Sequence, residues 1–436
     1  MKEKHLIVVS VDALVFEDLE YAKTLPAFGR LMREGSRIER IRTIYPSLTH
    51  PVHATMMSGN PAGVTGVVSN ELFTPGNLER PWFNVLDQMK CKTIFHVAHE
   101  AGLTTAACRW PLTARGGEVI DYLIPEVLPT DMKGYESTPI EAYRNLGTQE
   151  CLMDLIADAL AKYGYENVHP SYDEFEIYCS CEIIRRYKPN VLFTHPAYVD
   201  SMRHGSGIFS ERVREAVKKT DEWLSMLLDA VRDAGIEEST DSVVVSDHGQ
   251  LNINRIMCPN VFLADKGYIR TDAEGNLTDW DAYVASGALT AHVYLSRPDD
   301  KALYDEVYTL LQDMAKEKIY GFERVFTVDE VKEKYGLFGD FSFVLETDGF
   351  TSFSDDWRRP VVRELDTSDY RFGHGTHGHM PEKGPQPPFL AMGPSFKRGV
   401  VLAEGSILNH APTFAKVLGV SLPDVQGKPV DELLNV

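Results

Sequence analysis

The sequence predicts an α/β fold: a doubly wound, mostly parallel sheet flanked by helices, with a smaller inserted α+β subdomain. Three observations predict it. Short unbroken apolar runs recur at 6–11, 190–193, 242–245 and 389–392, the pattern of strands buried on both faces. Helix-period segments separate them, at 26–34, 92–101, 150–162, 174–186, 210–234 and 410–418. Strands alternating with helices indicate parallel crossovers. Finally, Asp12 and Asp247 each stand just past a strand run. In such sheets ligands gather beyond the carboxyl ends of strands, so both side chains are expected in one crevice.

Two stretches interrupt the alternation. Residues 125–172 are polar and rich in proline and tyrosine, and read as an excursion near the mouth of the site. Residues 255–367 read as the inserted subdomain, with strands at AHVYLS and FSFVLE and helices at 299–316 and 328–335. The catalytic core is then 1–254 plus 368–436. A chain of 436 residues would ordinarily divide into about three domains, but large α/β enzymes often run as one core with an insertion.

Composition narrows the function classes. With 43% hydrophobic and 25% charged residues, the chain can bury a substantial core. Its formal net charge of −20 opposes a general grip on nucleic-acid polymers or anionic lipid. A small phosphorylated substrate, nucleotides included, stays admissible because bound divalent cations reverse the local sign. No stretch approaches the roughly 18 apolar residues of a membrane span. The N-terminal run LIVVSV stops at Asp12 and is too short for a secretion signal. The six cysteines (Cys91, Cys108, Cys151, Cys179, Cys181 and Cys258) then read as free thiols of a cytoplasmic, reducing compartment. Cys179-Ser-Cys181 could hold metal or form a redox pair, but a lone C-x-C in an amphipathic run is more often structural. The sequence leaves a homo-oligomer open.

Chemistry is concentrated in five short strings. In YPSLTHPVHATMMSGN, Thr49 stands where a helix begins. It is either a helix cap, followed by a well-tolerated proline, or a nucleophile needing activation. In the second case the His50 N–H would face an anion at the helix N-terminus. In VVVSDHGQ, Asp247 and His248 adjoin at a strand end, where a turn lets neighbouring side chains converge. Asp200 and His204 in VDSMRHGSG are four apart, so on one helical turn they share a face; a surface ion pair is the alternative. In HGTHGHM, His377 lies between Gly375 and Gly378, with His374 and His379 as rivals. Together with Asp12 in VSVDA, these strings supply the carboxylates, imidazoles and hydroxyl that a two-metal hydrolase needs to attack phosphorus.

The order of these strings resembles the alkaline phosphatase superfamily, and within it the nucleotide pyrophosphatase/phosphodiesterase branch. YPSLTHPVHATMMSG is similar to that branch's P-[TS]-x-T-x-P-N-H nucleophile segment. VSNE supplies Asn70, 21 residues after Thr49, where the branch has a phosphate-binding asparagine. WPLT and the tail HAPTFAKVLGV add to the likeness. The resemblance implies an alkaline phosphatase-like core and hydrolysis of a small phosphodiester or diphosphate through a phospho-threonine at Thr49. It implies that Asp200, His204 and His377 hold one metal, and that Asp12, Thr49, Asp247 and His248 hold the other. Asn70 and the His50 N–H would stabilise charge on phosphorus. Ligands without thiolates suit two zinc ions best, with manganese admissible.

Some positions depart from the branch. Val52 stands for its usual Asn, Leu48 for a common Lys, and His50 for an aromatic that stacks on a nucleobase. These bear on nucleotide preference more than on phosphorus chemistry, and Tyr198 or Trp82 could supply the stacking instead. A phosphonate hydrolase or phosphomonoesterase is the alternative within enzymes, with Arg109 and Arg203 as the extra cations it would want. A sulfatase lacks its C-x-P-x-R or S-x-P-x-R string here, and a phosphoglycerate-type mutase normally uses serine where Thr49 stands. A metal-binding protein without turnover is the distant alternative.

Overall fold

The computed structural model describes residues 4–166 and 168–435. Its centre is an eight-stranded sheet: β1 His5–Ser10, β2 Ser36–Arg42, β3 Thr105–Cys108, β4 Tyr122–Ile124, β5 Val191–Thr194, β6 Thr240–Val245, β7 Phe389–Met392 and β8 Val401–Ser406. In space the order is β8-β2-β7-β6-β1-β5-β3-β4. Only β7 runs antiparallel to its neighbours; the remaining pairings are parallel. The predicted fold class is therefore the observed one.

The short apolar runs form β1, β5, β6 and β7 close to where they were expected. Along β1, Leu6 and Val8 enter one apolar cluster and Ile7 and Val9 the other, so each face of the sheet has its own core. Two predicted helices, Pro26–Glu34 and His410–Leu418, keep their bounds. Four strands of this sheet escaped prediction. β2 (SRIERIR) carries arginines and a glutamate on its open face. β3 (TAAC) is built largely on alanine, which has little strand preference. β4 is three residues long, and β8 is mostly exposed.

Register sets the crevice. Ser10 pairs with Val245, so two residues further on Asp12 and Asp247 emerge side by side. Val9 also pairs with Thr194, which brings the residues after β5 to the same edge.

The segment 255–367 builds a four-stranded antiparallel sheet in the order Ala282–Gly287, Thr290–Leu295, Phe343–Thr347, Phe322–Thr327. The helices Lys301–Glu317 and Val328–Tyr335 accompany it. Val293, Leu311 and Phe343 share a separate apolar cluster. Phe326, Val331 and Val344 pack instead into a cluster of the main sheet, docking this segment against the core.

Candidate active site

Thr49 is the first residue of the helix Thr49–Ser58, and the cap position belongs to Leu48, in extended backbone with no side-chain capping bond. The helix-cap reading of Thr49 is thus not what the structure contains. Its Oγ1 lies 3.2 Å from His248 Nε2. Around the same nitrogen stand Asp247 Oδ2 at 3.3 Å and Asp12 Oδ1 at 3.6 Å. Asp247 is held by its other oxygen, which accepts from the Ala13 N–H at 3.1 Å and the His248 N–H at 3.0 Å. The end of β2 is tied to the same loop by Thr43 Oγ1, which donates to the Asp247 carbonyl at 2.7 Å.

Asp200 and His204 share one face of the helix Tyr198–Ser206, with Asp200 Oδ2 3.0 Å from His204 Nε2. His377 Nε2 stands 4.0 Å from Asp200 Oδ1. Its loop arrives because Gly375–Thr376 pairs with Leu251–Asn252 beyond β6. Ser47 then fixes it, its carbonyl accepting from His377 Nδ1 at 3.2 Å and from the Gly378 N–H at 3.0 Å. Gly378 has φ +103°, and a Cβ there would meet the Gly287 carbonyl at 2.3 Å, so the turn requires glycine. The rivals are excluded by place. His374 is exposed, and His379 Nε2 bonds the Lys383 carbonyl at 3.1 Å.

His204 Nδ1 donates to the Gly375 carbonyl at 2.7 Å, as His377 Nδ1 does to Ser47. Both tautomers therefore aim an Nε2 lone pair at Asp200. A lone pair facing a carboxylate is stable only with a proton or a cation between them.

The electrostatics are those of a site short of positive charge. Burial, then the charges of Asp200 and Asp247, push the Asp12 carboxyl well above its usual range. Burial pushes Asp247 up to about 6. Burial would also raise Asp200, but the facing His204, His377 and His248 hold it well below its usual range. Burial pulls His248 down to about 3 and His377 well below its usual range, leaving both neutral, the form that ligates metal. Asp12 Oδ1, Asp247 Oδ2 and His204 Nε2 are buried without a hydrogen-bond partner. Asp200/His204/His377 and Asp12/Asp200/His248 each bring their donor atoms within 4.8 Å of one another. Carboxylate and imidazole donors, unpartnered and sharing Asp200 between two groups, fit a pair of divalent cations.

Several residues here were passed over in the sequence. His53, one helical turn after Thr49, donates from Nδ1 to the Thr49 carbonyl at 2.7 Å and pairs through Nε2 with Ser10 Oγ at 2.9 Å. His195, just past β5, places Nε2 3.1 Å from Asp12 Oδ2. With Asp247 these two histidines form a third close group, but both His53 nitrogens are already engaged. The strand-end rule that picked Asp12 would have found His195. Glu126, in the excursion, lies 3.5 Å from His50 Nε2. Tyr370 stacks on His377 at 5.6 Å between ring centroids.

The His50 N–H does not stand open as expected. It donates to Asn70 Oδ1 at 2.9 Å, joining the two predicted phosphate-binding groups to each other. Trp82 lies edge-on to His50 at 5.0 Å. Tyr198 packs against Trp223 instead. Arg109 is buried against Glu176 at 3.3 Å and donates to the Tyr172 carbonyl at 2.8 Å. Arg203 is spent on Asp18 and the Ala13 carbonyl. Cys179 and Cys181 sit in an apolar cluster, where burial pushes the Cys181 thiol up to about 12 and Cys179 well up. Neither is a metal thiolate.

The profile of the type I phosphodiesterase / nucleotide pyrophosphatase family matches residues 6–379. The chain belongs to this family. Family relatives include ectonucleotide pyrophosphatase/phosphodiesterase family member 1 of Rattus norvegicus, 24% identical over 275 residues, which are 61% of this chain and 26% of that protein. The venom phosphodiesterase of Naja atra is 24% identical over 260 residues, 58% of this chain and 27% of its own length. The chain thus spans about a quarter of the length of these relatives. Among solved structures, an inactive threonine-to-alanine variant of murine ectonucleotide pyrophosphatase/phosphodiesterase 5, in complex with AMP, matches with TM-score 0.67 and 19% identity. The match covers 99% of this chain and 100% of that one. The human counterpart gives 0.66 and 20%. These likenesses bear out both the resemblance and the fold class.

Proposed function

We propose that the chain is a metal-dependent phosphodiesterase or nucleotide pyrophosphatase that cleaves a small diester or diphosphate through a covalent phospho-Thr49 intermediate. The observation that carries this reading is the convergence of Thr49 Oγ1, Asp247 Oδ2 and Asp12 Oδ1 on His248 Nε2, all within 3.6 Å. Asp12, Thr49, Asp247 and His248 would hold one cation, and Asp200, His204 and His377 the other, with zinc the best match to these donors and manganese admissible. When bound, the ions lower the pKa of the threonine hydroxyl and offset charge gathering on the oxygens of phosphorus.

The chain supplies the rest. Thr49 opens a helix, so its oxygen sits at the positive end of the dipole, where an incoming phosphoryl anion is favoured. Its proton leaves to solvent, and Oγ1 forms the new P–O bond as the bond to the leaving oxygen breaks in line. Asn70 Nδ2 offers a donor to an equatorial oxygen. Water then cleaves the phospho-threonine, returning Thr49 and retaining configuration at phosphorus.

The AMP held by the murine relative supports a nucleotide as the substituent. Commitment of Arg109 and Arg203 to internal partners favours a diester over a monoester, which would want extra cations. Turnover of bis-(p-nitrophenyl) phosphate is expected to exceed that of the monoester; monoester preference would move the reading to a phosphomonoesterase. We also propose 255–367 as an inserted unit on a core of 1–254 and 368–436. The six cysteines, all free, support a reducing, cytoplasmic setting.

A further inference from the structure

Beside the metal-donor residues a buried polar chain runs on from Asn70, and beyond that residue no step above gives it a role. Asn70 is oriented by the His50 N–H, which takes its Oδ1 and leaves Nδ2 to other partners. Nδ2 donates to Tyr370 Oη in a long bond of 3.4 Å. Tyr370 Oη donates onward to Glu71 Oε1 at 2.9 Å. Glu71 Oε2 meets Arg80 Nη2 at 3.3 Å, and Arg80 Nε meets Asp355 Oδ2 at 3.2 Å. Asp355 also holds Arg371 at 3.3 Å, and Arg80 donates to the Ser286 carbonyl at 2.9 Å. Asp355 and Ser286 both belong to the segment 255–367.

We propose that Tyr370 is a positioning residue for Asn70, and that the segment 255–367 fixes both through Asp355 and Arg80. The proposal rests on the reading of Asn70 as a donor to substrate. An amide nitrogen has two hydrogens; with one held by Tyr370, the other is aimed, and a preset donor costs no reorganisation when charge develops. Glu71, Arg80 and Asp355 are each more than nine-tenths buried. Buried ion pairs of this kind give little net stability over apolar replacements, so registry is the role they fit. The two ends of the Tyr370–Glu71 bond are 299 residues apart in sequence. That bond therefore exists only when the nucleophile segment and the His377 loop are both in place.

The test is a double-mutant cycle on the zinc-loaded full chain, with bis-(p-nitrophenyl) phosphate as probe. Asn70→Ala is expected to lower kcat about 10²-fold, the loss of one oriented donor. Tyr370→Phe, which keeps the ring on His377, is expected to lower kcat about tenfold. KM, melting temperature and metal content should not change. The double variant should be no slower than Asn70→Ala alone, because Tyr370 acts through Asn70. Asp355→Asn should lower kcat in the same direction. Wild-type turnover in Tyr370→Phe, losses that multiply in the double variant, or a fall in metal content or melting temperature that accompanies the kcat loss would overturn the inference while leaving Asn70 its role. Wild-type turnover in Asn70→Ala would overturn the reading of Asn70 itself.

Discussion

The metal-donor residues and the ion network beside them are equally buried and equally charged, yet their charges are balanced in opposite ways. In the network, Arg80 stands between Glu71 and Asp355, and Arg371 between Asp355 and Asp369. Each guanidinium has its carboxylates. In the donor group Asp12, Asp200 and Asp247 crowd together with no guanidinium or ammonium among them; burial keeps His248 and His377 neutral, and His204 is raised by the charge of Asp200 despite its burial. The network sets each carboxylate against a guanidinium of the chain, whereas the donor group holds an excess of carboxylate charge that bound cations would offset. The difference sets the proposed positioning network apart from the proposed reaction centre by geometry and charge.

The sharpest way to break that distinction is at Thr49. Thr49→Ala should lower turnover of every substrate by at least about 10³-fold, as loss of a nucleophile does, with metal content retained. Metal analysis beside steady-state rates checks it, and unchanged turnover would remove Thr49 from the mechanism. In the balanced network the expected loss is in stability. Arg80→Gln strands Glu71 and Asp355 in the interior, and should cost about 3 kcal/mol in denaturant unfolding. A cost near zero would mean that water already reaches those carboxylates.

The smallest effect sharpens the contrast by reversing its sign. In chelated protein Asp247→Asn should stabilise by about 1 kcal/mol, because it removes an uncompensated buried charge. The gain depends on pH. With its pKa raised from 3.8 to about 6, folded Asp247 holds its proton more tightly than the unfolded chain does. Its contribution to stability is whole below pH 3.8 and is lost as pH rises through 6. The advantage of Asp247→Asn over wild type should therefore grow from pH 5 to pH 7, read as a widening gap in melting temperature. A constant gap would contradict the charge imbalance.

This contrast also marks what could be read from the sequence. Asp12 and Asp247 were legible because an apolar run that stops at a polar residue locates a strand end, and parallel register does the rest. Asp200 and His204 needed only helical spacing. His377 was singled out from His374 and His379 by the resemblance alone, because the local pattern cannot say which imidazole Ser47 reaches, a tertiary fact. The network was invisible, since Glu71 and Arg80 lie far along the chain from Asp355 and Tyr370, with no motif linking them. In the central sheet, strands were missed where residues lack strand preference: alanines in β3, and charges on the open face of β2.

The most direct test of the central claim is to strip the protein with chelator and titrate zinc back while following bound metal and phosphodiester turnover together. The account predicts no turnover in the stripped protein, two ions bound per chain, and recovery of rate in step with their binding, with Thr49→Ala binding the same two ions and recovering none. Full turnover in stripped protein, or fewer than two ions bound at saturation, would contradict it.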